Sequence, residues 1–321
     1  MGGGRIVDTT DEPQASTMVD LTESLDMETP ADSFTLLLGQ VGSSRLARDQ
    51  EVTIELGYDG QALTQVMTGG IVRLTPGLTT SRVIGHSAAE KLLHTFVDKT
   101  YESKTAGQIV RDLAGQAGVS VAAADTGINF PAYVVDGRRD VYRHMRRLAE
   151  LCGFDLYVNP EGQLVFKKFT RGDTVHRLEY GQHVVELALL QADPLAAQVE
   201  AWGESPGSGG GAESWAWLTK DFSSARGKAG SGEPKLLLER PALRTATAAR
   251  TAAQAAHTRI QRRTIRGRLT IAGRPQLKLG DAVSLSQVPE EPLNGTFQVR
   301  SVTHRISKPG GFTTTAAFQS I

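Results

Sequence analysis

The sequence predicts an α+β protein, mostly β, in which two strand-rich segments flank a helix–helix–hairpin unit. Three observations carry this. Short runs rich in β-branched residues, broken by Gly, Pro, Asp or Asn, fill residues 18–97 and return after residue 171. Between them the apolar residues change from strand-like alternation to a spacing of three and four. Past the second segment's first strands, the composition turns abruptly to Gly and Ser over residues 203–232.

Taken in order, residues 1–17 are polar and aperiodic, which reads as a flexible arm. Residues 33–38, 51–58, 65–74 and 81–86 are strand runs at roughly 12–15 residue spacing, the rhythm of a small antiparallel barrel or sandwich over residues 18–97. Gly69 and Gly70, inside the third run, suggest a bulge or a sharp bend.

The middle unit, residues 98–170, opens with a helix. Thr105 stands at its N-cap with Gln108 three residues on, the spacing of a capping box. Ala106, Ile109, Val110, Leu113 and Ala117 share one face, and Gly118 supplies a left-handed stop. In the second helix Val141, Met145, Leu148, Ala149 and Cys152 form the apolar stripe, while Arg138, Arg139, Arg143, Arg146 and Arg147 crowd elsewhere and Gly153 ends it. Phe154, Leu156 and Val158 then alternate up to a turn with Pro160 second and Gly162 fourth, as a type I turn prefers. Leu164 and Phe166 carry the alternation back as a hairpin.

Strand runs resume at residues 176–180, 184–190 and 196–202. Residues 203–240 read as a Gly/Ser-rich insertion, in which Trp215 and Trp217 share one strand face and either form a contact site or fold back onto the nearest strands. Pro241 opens an alanine-rich helix over residues 241–262, with Ala246, Ala249, Ala253, Ala256 and Ile260 recurring by threes and fours. Strands close the chain at residues 267–273, 280–285, 296–306 and 312–318. Pro309 and Gly310 suit a type II turn, and the slip of apolar phase from Val299 to Val302 calls for a bulge near Ser301.

Composition bounds the chemistry. Lys plus Arg (35) equal Asp plus Glu (35), so no global field draws the chain to nucleic acid or an anionic membrane, and no stable binding to either is expected. Two local clusters remain, Arg138 to Arg147 and Arg259, Arg262, Arg263, Arg266 and Arg268, as solvated faces or as a docking surface for an acidic partner. The single cysteine, Cys152, lies on an inward helix stripe, a structural place, and allows no disulfide within one chain. No signal-peptide core opens the sequence and no run approaches the ~20 apolar residues of a membrane span, so synthesis and assembly in the cytoplasm are expected.

Gly203, Ser205 and Gly207 match a nucleophile elbow in spacing, but Pro206 removes the N–H that the oxyanion hole requires. The seven histidines, at 86, 94, 144, 176, 183, 257 and 304, follow no metal-binding pattern and read as surface or strand residues. Gly227 and Lys228 lack the rest of a phosphate loop. No enzyme activity, cofactor or metal is expected; the composition is that of a binding or assembly module.

Two blocks resemble a known family. YESKTAGQIVRDLA at residues 101–114, continued by RLAELCGFDLYVNPEGQLVF at 147–166, looks like the tail hub family of contractile injection machines, the late-control protein D relatives of phage baseplates and of type VI secretion spike proteins. RPQLKLGDAVSL at 274–285, LNGTFQVRSVTHRIS at 293–307 and GGFTTTAAF at 310–318 resemble that family's closing barrel, and the likeness spans most of residues 32–318. It implies a homotrimer in which each chain gives two similar β-barrels, residues 18–97 and residues 171–202 with 263–321, flanking the α/β unit. Six barrels would then form a ring that adapts a sixfold inner tube to a threefold spike in a phage tail or phage-tail-like particle. The implied partners are further copies of the chain, the inner tube, baseplate components and a spike. Because the sequence stops at Ile321, where type VI spike proteins run on, that spike is expected to be a separate protein. Two other readings stay open: a surface-binding barrel acting through Trp215 and Trp217, and a cell-envelope hydrolase. For a hub, the arginine-rich face of the second helix is the expected contact with a neighbouring subunit.

Overall fold

The computed structural model describes residues 17–39, 46–170, 174–203 and 226–321. The first strand group is β1 (Met18–Asp26), β2 (Ser33–Leu38), β3 (Glu51–Leu56), β4 (Thr64–Pro76) and β5 (Ser81–Ser87), followed by the short helix α1 (Ala89–Leu93). The middle unit holds β6 (Lys99–Thr105), α2 (Ala106–Gln116), β7 (Val121–Ala124), β8 (Asn129–Val135), α3 (Val141–Cys152), β9 (Asp155–Val158) and β10 (Leu164–Lys167). Next come β11 (Val175–Glu179), β12 (Val184–Gln191), β13 (Gln198–Trp202), β14 (Arg226–Gly230), β15 (Lys235–Glu239) and α4 (Ala246–Arg262). The chain finishes on β16 (Ile265–Ala272), β17 (Ala282–Ser286), β18 (Gly295–Ser307) and β19 (Gly311–Ser320). The α+β, mostly-β class is as the sequence predicts. Among the described residues no helix is long and apolar enough to cross a membrane.

The two strand groups are not two closed barrels. They form one eleven-stranded sheet in the order β12–β16–β19–β18–β1–β2–β5–β4–β3, with β17 on β18 and β11 parallel to β17. The reason lies in β1 and β18. Strand β1 pairs with β2 on one side and β18 on the other, from Asp20 opposite Ser307 to Asp26 opposite Ser301, so the edge that would close a barrel is already occupied. Strand β18 is long enough to serve two partners on that side, β17 with Gly295 to Gln298 and β1 with Ser301 to Ser307, while β19 follows the other side throughout. The register shift between Val299 and Ser301 separates the two stretches, at the bulge the sequence signals. Phe34, Met67, Ile71, Val299, Val302 and Phe318 fill the core under this sheet. Each such side chain contributes roughly 1.5–3 kcal/mol by burial.

In the middle unit the local signals are realised. Thr105 Oγ1 accepts from Gln108 N–H, and Gln108 Oε1 accepts from Thr105 N–H. Gly118 and Gly153 take positive φ at the ends of the helices. Asp140, which carried no expectation, caps α3 by accepting from Arg143 N–H at 2.9 Å. The sequence reading missed β6, which pairs with β8 and ends on the N-cap itself, and β7, which lies parallel to β10 of the hairpin. His144, read as a surface or strand residue, is instead buried on α3.

Three further expectations are corrected. Helix α4 starts at Ala246, not at Pro241, because Thr245 caps it by accepting from Ala248 N–H while residues 241–244 turn. Strand β13, expected with the second barrel, pairs instead with β14 and β15 in a separate three-stranded sheet. The alanine face of α4 lies on that sheet so closely that a Cβ on Gly227 would sit 2.2 Å from the backbone at Ala249. At residues 307–311 the positive φ belongs to Gly311 rather than Gly310, giving a three-residue loop closed by the Ser307–Gly311 pair instead of a type II turn. Gly69 and Gly70 stay in register, with irregularities on either side.

Candidate functional site, an arginine-lined cleft

The arginines that the sequence groups on the second helix separate in space. Arg138, Arg139 and Arg143 face solvent, with Arg138 beside Asp136 and Arg143 beside Asp140. Arg147 is half-buried, and its Nε has no partner. Arg146 turns inward, donating to the Met27 carbonyl at 2.6 Å and to Glu28 Oε2 at 2.6 Å. Glu28, in the β1–β2 turn, also accepts from Arg300 of β18 at 2.7 Å and lies 3.9 Å from Arg263. Arg300 in turn donates to Asp155 at the start of β9 at 2.5 Å, and Gln298 occupies the other oxygen of that carboxylate.

Carboxylates and guanidiniums thus alternate from Glu150 through Arg146, Glu28 and Arg300 to Asp155, tying the middle unit to the large sheet. Burial alone would raise the Glu28 carboxyl; Arg146, Arg300 and Arg263 outweigh it and hold it below the usual carboxylate range. Burial would likewise lower Arg300, but Asp155 and Glu28 keep it above the ordinary arginine value.

Beside this network opens a cleft of about 550 Å³ between α3 and α4. Ala149, Gly153 and Ala255 are among its apolar lining, and the face of α4 carrying Arg250, Gln254, Thr258, Arg259 and Arg262 forms one wall. Seven cationic side chains line it against three carboxylates, Glu28, Glu150 and Asp155. Among the described residues Arg250, Arg259 and Arg262 have no hydrogen bond or ion pair. Arg262 instead lies over the Phe169 ring, 5.5 Å from its centroid, with its Nε buried and unpartnered. Desolvation lowers both Arg259 and Arg262 from the ordinary arginine value. Such a site can bind anions. Cys152 also lines the cleft, but burial pushes its thiol up to about 11, the state of a packing residue rather than a nucleophile.

One arginine of the first cluster, Arg146, therefore meets three of the second, Arg259, Arg262 and Arg263, a juxtaposition that no spacing in the sequence announces. Trp215, Trp217 and Ser205 lie outside the described residues. Sequence reading also missed a second set of buried ionisable groups. Glu23 and Asp32 are buried near the β1–β18 seam, and His304 stands opposite Glu23 across it. A signal for Glu23 existed, since it occupies the inward phase between Leu21 and Leu25.

A family model described as the Alg8 N-terminal domain matches residues 40–308. The chain belongs to that family. No curated protein matches it by sequence. In fold, this member of the Alg8 N-terminal domain family is similar to phage tail proteins. The 43 kDa tail protein of prophage MuSo2 from Shewanella oneidensis superposes with a TM-score of 0.72 at 15% identity, covering 95% of each chain. A tail protein from Neisseria meningitidis gives 0.68 at 14% identity, over 95% of this chain and 92% of that one. An E. coli component of the type VI secretion system, itself similar in structure to T4 bacteriophage tail proteins, gives 0.58 at 11% identity over 95% and 73%. The chain has the tail-protein fold.

Proposed function

We propose that the protein is a structural, non-enzymatic component of a tail-like particle, a homotrimeric hub ring set between the inner tube and the spike. The observation that carries this is the open sheet within a fold shared with tail proteins over nearly its whole length. Among the described residues β12 pairs only with β16, β11 only with β17 and β3 only with β4, so each chain offers unlike strand edges. Unlike edges on one subunit favour head-to-tail association, which closes into a ring. The side chains of β12 support an occupied edge, since Val185 is 76% and Leu190 54% exposed in the single chain.

In this reading the strand groups of residues 18–97 and of 171–202 with 263–321 serve as two similar ring units per chain, and residues 98–170 project from them. The spike, the tube protein and baseplate components are its partners, and Arg138, Arg139 and Arg143 face a neighbouring subunit. Light scattering and mass photometry test it. The expected species holds three copies, and Val185→Lys with Leu190→Lys returns it to monomer. Only monomers in the presence of tube and spike proteins would sink the hub reading.

A further inference from the structure

We propose that the cleft between α3 and α4 is a docking socket for an extended, carboxylate-bearing peptide segment of a partner protein. Four features point to this occupant. First, the chain already seats one carboxylate at the cleft's edge, Glu28, held by Arg146 and Arg300 at 2.6 and 2.7 Å. The geometry there is therefore complementary to a side-chain carboxylate.

Second, the side chains of Arg250, Arg259 and Arg262 line the remaining space with no hydrogen bond or salt bridge among the described residues, and burial lowers Arg259 and Arg262 although Glu150, Glu28 and Asp155 pull the other way. Arg250 and Arg259 are open to solvent and Arg262 is half-buried, so an incoming carboxylate can reach them and form charge-assisted hydrogen bonds that the isolated chain lacks. Third, the wall is elongated. From Arg250 to Arg262 it runs about 18 Å along α4, the reach of five or six extended residues. Gln254 and Thr258 between the arginines can serve a peptide backbone, and Ala149 and Ala255 leave room for it.

Fourth, the charge is mixed. Glu28, Glu150 and Asp155 line the same cleft, and they would repel the unbroken phosphate row of a nucleic acid, whereas spaced carboxylates can alternate with them. The proposal does not depend on how many copies of the chain assemble.

Calorimetric titration with hexaglutamate, carried to millimolar peptide, tests it on the full chain. One site per chain is expected, weakened at least about tenfold by Arg259→Glu with Arg262→Glu and similarly by the milder Arg259→Gln with Arg262→Gln. Circular dichroism checks that both variants are folded. Arg138→Glu with Arg143→Glu, outside the cleft, is expected to leave binding unchanged. The proposal is overturned if hexaglutamate does not bind, if the cleft variants bind it as well as the parent, if the outer variant loses as much, or if a thymidine hexanucleotide binds more tightly.

Discussion

The cleft and the β1–β18 seam bury charged groups in opposite ways. At the edge of the cleft Arg300 lies between Glu28 and Asp155, and Glu28 is held below the usual carboxylate range because guanidiniums outweigh desolvation. At the seam Arg305 pairs with Asp20, but among the described residues no cation pairs with Glu23 or Asp32. Both oxygens of Glu23 lack a partner, burial followed by the nearby Asp32 pushes its carboxyl well up, and burial raises Asp32 to about 7. His304, bonded through Nδ1 to Thr314 Oγ1, is lowered by burial to about 4 against a backbone hydrogen bond with Leu277. One region keeps its charges by pairing them; the other keeps its groups neutral. Pairing joins parts of the chain far apart in sequence, whereas neutral burial makes the seam sensitive to pH.

The largest expected effect is at the seam. The folded-state value of Asp32 lies above that of an unfolded carboxyl, so the unfolded chain ionises first and stability is lost as pH rises from about 4 to about 7. Asp32→Asn keeps an acceptor for Asp26 N–H and removes this loss. It is expected to raise stability at pH 8 by about 4 kcal/mol and to change little at pH 4. The same shift at both pH values would disprove a neutral Asp32. Glu23→Gln follows the same sign, with a smaller gain because the amide is also left without a partner.

Next comes breaking the pairing. Arg300→Ala leaves the half-buried Asp155 without its paired cation and removes one of the cations of Glu28, and is expected to cost about 3 kcal/mol in urea unfolding at pH 7. A loss below about 1 kcal/mol would mean that solvent reaches this network freely.

The smallest effect belongs to a pair that neither region buries. Arg138 lies beside Asp136 on the surface, and Arg138→Ala is expected to leave the unfolding midpoint in place. A clear drop would show that exposed arginines on this face carry stability as well.

The parts of this contrast that were legible in the sequence are local ones. The Thr105 capping box, the Gly153 stop and the phase slip between Val299 and Val302 involve residues within a few positions of one another, where spacing alone states the geometry. The alternation around Glu23 showed an inward carboxyl but not its surroundings. The Arg146–Glu28 and Arg300–Asp155 pairs were invisible, because their partners are separated by 118 and 145 positions and no periodicity links them.

By itself, then, the sequence determined the mostly-β class, the two capped helices of the middle unit and the bulge in β18, since short-range hydrogen bonding and side-chain phase decide such features. Only the tertiary structure decided that β1 and β18 join the strand groups into one open sheet, and that arginines from α3, α4 and β18 surround one cleft. Strand edges and buried charges take partners from anywhere in the chain, and the choice is made by packing the whole molecule.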